Sequence, residues 1–169
     1  MAEHEQGSGA RDPAPHGSAP GDPTADAWYF AVRLGEGRYA FDAPLVTEVV
    51  RLGPLTRLPA APPFLPGVFT HRGEILPVLD LGELLLRRGT ELEPGARAAV
   101  VQAGPWRVAV VADEIEGLLS VPRRRLEQPP PGHGASEFLR AVAVDGAEDL
   151  AILDMVRLVA AARARSVPS

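Results

Sequence analysis

Alternation of apolar and polar positions begins at Trp28. Trp28, Phe30, Val32 and Leu34 fall on one face and Tyr29, Ala31 and Arg33 on the other, the two-residue period of a strand. Gly35-Glu36-Gly37 then turns the chain, and Arg38 to Asp42 predicts an antiparallel return with Tyr39 and Phe41 inward. A third apolar stretch follows Pro44, from Leu45 to Leu52. The segment 59–66 holds four prolines; it predicts an extended connector that cannot join the middle of a sheet. Gly67 to Asp80 reads as strand, tight turn at Arg72-Gly73, strand, and then a helix with Asp80 as its N-cap.

The same grammar recurs downstream. Phe138 to Val144, a turn at Asp145-Gly146, Leu150 to Leu153 and a helix capped by Asp154 repeat it, with Leu79-Asp80-Leu81 aligning on Leu153-Asp154-Met155. The first hairpin has its own counterpart: Gly35, Arg38, Tyr39, Ala40, Phe41, Val46 and Val49 align with Gly104, Arg107, Val108, Ala109, Val110, Ile115 and Leu118. Similar offsets over separate stretches predict two copies of one all-β unit, each ending in a short helix and joined near Arg88 to Gly95. Short strands with frequent Gly and Pro turns favour small barrels, because closure removes exposed edges. The last helix, Asp154 to Arg165, places Met155, Leu158, Val159 and Ala162 on one face and Arg163 and Arg165 at its C-terminus, where cations complement the dipole.

Composition narrows the chemistry. The chain has 169 residues, no cysteine and a formal net charge of -5. Disulfides, thiolate nucleophiles and Cys-built metal sites are excluded, and the acidic balance opposes a general affinity for nucleic acid or anionic membrane. Residues 1–24 lack Val, Ile, Leu, Phe, Trp and Tyr. Such a stretch cannot offset its ordering entropy and reads as a disordered leader without the apolar run of a signal peptide. The leader takes His4 and His16, leaving His71 and His133, a thin basis for a metal centre. Apolar runs fall short of the ~20 residues a bilayer span requires, so the expected location is cytoplasmic.

Candidate catalytic signals dissolve in context. Gly35-Glu36-Gly37-Arg38-Tyr39-Ala40 spells G-x-G-x-x-A, but alternation resumes where a dinucleotide site needs a helix to open. Asp80 and Asp154 read as helix caps, and Asp113, Glu114 and Glu116 as a strand or turn edge. A carboxylate hydrolase pairing Asp80 with Asp154 is one competing reading. Ser120 and Ser136 lie outside G-x-S-x-G, and neither a P-loop nor H-E-x-x-H is present. Arg123-Arg124-Arg125 supports a second competing reading, a nucleic-acid-binding double barrel, although such grooves usually add stacked aromatics. A domain without catalytic apparatus is expected to act by binding.

Gly67-Val68 through Arg72-Gly73, followed by Pro77-Val78-Leu79-Asp80-Leu81, resembles the central motif of the CheW family of chemotaxis coupling proteins, G-V-x-N-x-R-G-x-x-x-P-[IV]-[IV]-D-L. Phe30 to Tyr39 is similar to the family's opening hairpin, Val46-Thr47-Glu48-Val49 to its V-x-E-[IV] element, Val111 to Ser120 to its V-x-D-x-V-x-x-[VI]-L-x strand, and Leu150 to Asp154 to its closing strand and helix. The resemblance covers roughly Ala27 to Ala162. Thr70 stands where the motif usually has Asn, His71 where it has an apolar residue, and Ala141-Val142-Ala143 where the second half has a Gly-containing strand.

The resemblance implies an all-β fold of two intertwined, five-stranded SH3-like barrels with short helices, including a C-terminal one. The implied folded domain runs over 25–165, with a tail at 166–169. The first barrel would have its core at roughly 40–95 and the second at roughly 96–150, with terminal strands exchanged. It further implies a non-enzymatic adaptor, without cofactor or metal, linking the cytoplasmic hairpin tip of chemoreceptors to the regulatory domain of a CheA-type histidine kinase, without nucleic acid or membrane insertion. Carried onto this chain, the receptor-binding residues are Val46, Glu48, Gly67, Arg72, Leu118 and Leu119. A CheW-like scaffold can equally serve a chemosensory pathway for surface motility or development.

Overall fold

The computed structural model describes residues 24–132, 137–145 and 148–167. The expectations for residues 1–23, for His133 and Ser136, for Gly146 in the turn after Asp145 and for the last two residues lie outside those described. In chain order the elements are β1 (Asp26–Leu34), β2 (Gly37–Asp42), β3 (Val46–Arg51), β4 (Gly67–His71), β5 (Glu74–Asp80), α1 (Leu81–Leu86), β6 (Arg97–Ala103) and β7 (Trp106–Val111). They continue with β8 (Glu114–Pro122), β9 (Leu126–Glu127), β10 (Leu139–Asp145), β11 (Glu148–Leu153) and α2 (Met155–Ser166), and single 3-10 turns occupy Ala43–Leu45 and Arg123–Arg125.

The strands form two sheets, ordered β8-β1-β2-β11-β10-β9 and β3-β6-β7-β5-β4. When the repeat is superimposed, β1–β2 corresponds to β6–β7, β3 to β8, and β4–β5 to β10–β11, and the two orders become the same. In each sheet one parallel pair holds the hairpin contributed by the other half of the chain. Ala40 of β2 lies opposite Ile152 of β11, and Ala109 of β7 opposite Val78 of β5. The halves thus exchange hairpins. β6 and β7 complete the sheet of the first half although they follow residue 95, so sheet membership does not divide at one point in the chain.

Both sheets curl. β8 and β9 stand at opposite edges of one sheet yet are joined by only Arg123–Arg125, a link too short for a flat layer. In the other sheet, Thr56 follows edge strand β3 and pairs with Val68 of the opposite edge through N–H···O bonds of 2.8 and 2.9 Å. Thr56 is the counterpart of β9. The expected five strands per barrel hold for the second sheet, whereas the first has six because its closing segment pairs over two residues instead of one.

Packing explains why single-face alternation understates burial. One cluster, with Tyr29, Ala31, Ala40, Val121, Ala143, Leu150 and Ile152, fills the first curled sheet. Its counterpart, with Val50, Phe69, Leu76, Val78, Ala98, Val100 and Ala109, fills the second. A third cluster joins Phe30, Val32, Leu34 and Phe41 to Ala99, Val101, Val108 and Val110 between the sheets, with Leu81 and Leu85 of α1 and Leu158 and Val159 of α2. β1 therefore buries both faces, and the pattern's one exception is Trp28, 57% exposed at the strand's outer end. Asp80, 4% exposed, is the one buried charged residue among those described. It caps α1 by accepting from Glu83 N at 3.2 Å and also accepts from Thr90 N and Oγ1 at 2.7 and 2.8 Å. Asp154 caps α2 through Arg157 N.

Candidate functional site

Arg72 and Gly73 both have positive φ, 51° and 79°, the backbone of a two-residue hairpin turn matched to strand twist. The turn holds Arg72 outward beside β3, where its Nη1 lies 3.4 Å from Glu48 Oε2. Glu48 also meets His71 Nε2 at 3.2 Å and Arg107 Nη2 at 3.3 Å, both on Oε1. Arg107 Nη1 donates in turn to Glu74 Oε2 at 2.6 Å. Five side chains from β3, β4, β5, β7 and the hairpin turn thus form one network.

Strand alternation puts them there. Glu48, His71, Glu74 and Arg107 each lie two residues from Val50, Phe69, Leu76 and Ala109, which fill the second curled sheet. Residues two apart share a face, so the interior row ends in charged groups that close the barrel's rim. Arg107 Nε is buried there with no hydrogen-bond partner among the described residues. The other barrel carries an analogous pair, although its acid, Glu116, aligns with Thr47 and not with Glu48. Arg38, the counterpart of Arg107, donates to Glu116 at 2.7 Å, and Arg33 contacts Glu116 and Glu148 at 3.2 Å each. The Arg38 hydrogen bond holds the Glu116 carboxyl below the usual range, and the Glu148 hydrogen bond raises the Arg33 guanidinium. Burial pushes the Tyr39 phenol up.

The six residues suggested by resemblance have different settings. Glu48 and Arg72 are in direct contact. Gly67 is buried at the start of β4, where an added Cβ would lie 2.6 Å from the Thr56 carbonyl oxygen; the closing backbone pair needs the missing side chain. Val46 is half-buried against the core between the sheets, across a register shift that separates it from Glu48. Leu119 packs against the interior of the first sheet. Leu118 points outward, 68% exposed. It lies opposite Phe30 while Trp28 lies opposite Ser120, so Leu118 and Trp28 are diagonal neighbours on one face and form an open apolar patch. The sequence reading missed Arg107 and Glu74, although the repeat offered a signal by aligning Arg107 with Arg38.

Competing chemistry finds little support. Asp80 and Asp154 are each engaged by their own helix. Arg123, Arg124 and Arg125 form the exposed turn that closes the first sheet. Among the described residues no group of three or more His, Cys, Asp or Glu side chains could hold a metal ion, and no helix is long and apolar enough to cross a membrane.

Comparison with known proteins agrees with this geometry. Residues 29–163 match the family description CheW-like domain. Protein FrzA of Myxococcus xanthus is 38% identical over 142 residues, covering 82% of this chain and 89% of that protein. Chemotaxis protein CheW of Treponema pallidum is 28% identical over 133 residues, covering 75% and 78%. The crystal structure of the scaffolding protein TtCheW from Thermoanaerobacter tengcongensis has the same fold, with a TM-score of 0.71 at 23% identity, covering 79% of this chain and 88% of that one. A duplicated, hairpin-exchanged pair of barrels together with these likenesses places the chain in the CheW family, as a chemosensory adaptor.

Proposed function

We propose that the protein acts without catalysis in the cytoplasm, joining the hairpin tip of a chemoreceptor to the regulatory domain of a CheA-type histidine kinase. The observation that carries this reading is the Glu48–Arg72 contact. A cation 77% exposed at its side chain is held in place by a carboxylate that the Arg107 guanidinium and the His71 imidazole also contact. Such a group is oriented before binding and still open to a partner, which lowers the ordering cost of association. Val46 lies two residues from Glu48 on β3, Gly67 opens the strand that leads to Arg72, and Leu118, with Leu119 half-buried beside it, offers apolar surface on the other barrel. An apolar patch beside a few placed charges suits a modest, reversible interface.

Co-sedimentation with a receptor signalling fragment and a kinase regulatory domain tests the reading. Both are expected in the pellet with the adaptor. Arg72→Ala should weaken the receptor contact by more than ~1 kcal/mol, the scale of an interface hot spot. Its high exposure leaves the fold intact. A receptor contact unchanged to within ~0.5 kcal/mol overturns the site, and oligonucleotide binding that falls steeply with salt in place of either protein contact overturns the function.

A further inference from the structure

A cleft of about 270 Å³ opens between α2 and the second sheet and adjoins the Glu48 network through Arg107. Its walls are Pro77 and Leu79 of β5, Val108 of β7, and Val159 and Ala162 of α2. Three elements of the packed core therefore hold it open. The repeat does not require it. α1 stops at Leu86, where Arg87 takes a left-handed conformation, whereas α2 runs on to Ser166, and the position corresponding to Trp106 in the first half is Gly37.

The charged groups at the cleft are of one sign. Among the described residues, Arg107 and Arg163 are the only ionisable groups in its lining, in a chain with 22 acidic residues and a net charge of -5. Arg107 is committed to Glu74 and Glu48. Arg163 has no hydrogen-bond or ion-pair partner among the described residues, yet it is not loose: its guanidinium lies 3.4 Å from the centroid of the Trp106 ring. A guanidinium stacked on indole keeps the N–H donors at its edge available while its plane is fixed. An oriented cation at the mouth of an apolar cleft is complementary to an amphipathic anion.

We propose that this cleft binds a small amphipathic carboxylate, its hydrocarbon part between α2 and the sheet and its carboxylate on Arg163. The volume accommodates roughly nine groups of about 30 Å³, the share of a water molecule in the liquid, which sets the scale at a medium chain. Carboxylates accept from a guanidinium edge in charge-assisted, often bidentate hydrogen bonds, and the apolar walls supply the rest of the affinity.

The experiment uses the full chain carrying Trp28→Phe, which leaves Trp106 as its single tryptophan. Octanoate, octanol and octylammonium, each below its aggregation threshold, are titrated while Trp106 emission and the indole N–H resonance are followed. Octanoate should give a saturable response at least about tenfold tighter than octanol, the margin expected of hydrogen bonds to a charged group, with octylammonium weakest. Arg163→Gln, on the exposed side of α2, should reduce the preference for octanoate over octanol below about twofold while leaving octanol affinity within about twofold. A non-saturable response, equal binding of octylammonium, or an octanoate preference that survives Arg163→Gln overturns the proposal. Displacement of octanoate by a synthetic peptide of residues 1–23 would reassign the cleft to the chain's own leader and overturn it as well.

Discussion

Gly67→Ala isolates the seam that closes the second barrel. The added Cβ would sit 2.6 Å from the Thr56 carbonyl oxygen and 3.1 Å from its carbon. Both are backbone atoms, so no flexible side-chain end can yield. Ordinary contact requires the Thr56 segment to withdraw by roughly 0.8 Å, which strains the two bonds between Thr56 and Val68 at 2.8 and 2.9 Å. Overpacking costs about 1–3 kcal/mol, and weakening two hydrogen bonds adds up to about 1 kcal/mol each. A loss of roughly 2–4 kcal/mol is expected, equivalent to a fall in Tm of about 5–15 °C for a chain of this size. Urea unfolding followed by far-UV circular dichroism measures it. Gly73→Ala is the control: its φ of +79° is strained for alanine, but no atom lies within 4 Å of the added Cβ, so about 1 kcal/mol is expected. Stability within ~0.5 kcal/mol of the parent for Gly67→Ala would refute the seam. Receptor binding lost without any loss of stability would place Gly67 in the contact itself and refute the steric account of why glycine stands there.

Other perturbations separate local from shared energetics. Asp80→Ala should cost roughly 3 kcal/mol in urea unfolding, because a buried carboxylate that caps α1 also holds Thr90 through two bonds; a cost below ~1 kcal/mol would reduce it to a simple cap. Its counterpart Asp154→Ala, with the Arg157 N–H as its one side-chain capping partner among the described residues, should cost about 1 kcal/mol. Glu116 has its carboxyl depressed by Arg38, so its contribution is present above the unfolded-state value near 4.3 and is lost as pH falls through the lower folded-state value. The stability difference between the parent and Glu116→Gln should therefore shrink from about pH 5 downward and, for a largely solvated pair, stay below ~1 kcal/mol. A difference that grows on acidification contradicts that sign.

Much of the fold was legible because its signals are local. The Arg72-Gly73 turn, the caps at Asp80 and Asp154 and the α2 face of Met155, Leu158, Val159 and Ala162 depend on neighbours within a few residues. The repeat was legible because both halves obey one packing scheme. Burial of both faces of β1 was not, since Tyr29 and Ala31 face a barrel interior completed by Leu150 and Ile152, more than a hundred residues away. Pairing partners of a strand are set by the whole topology and leave no local trace. The same limit applied to the candidate site. Glu48, beside Val46 and Val49, and Arg72, at a hairpin turn, stand out as exposed charges in the sequence as well as by motif resemblance, whereas Arg107 and Glu74 join them only because β7 pairs with β5 across the hairpin exchange.

That exchange bears on how an adaptor transmits force between partners. Two barrels linked by one connector would hinge, with each bound partner free to reorient. Here each sheet contains a hairpin from the other half, secured by parallel pairing along Leu150–Ile152 and Val78–Asp80. Separating the barrels must break both ladders and also expose Phe30, Val32, Phe41, Val101 and Val110 from the core between them. Burying a single such side chain is worth about 1.5–3 kcal/mol, so even a few of them exceed thermal energy many times over. A load on the Glu48–Arg72 rim of one barrel therefore reaches the Trp28–Leu118 patch of the other through packed core. In the proposed complex, a receptor that touches both surfaces would meet one rigid body, so that its contacts on the two barrels move together.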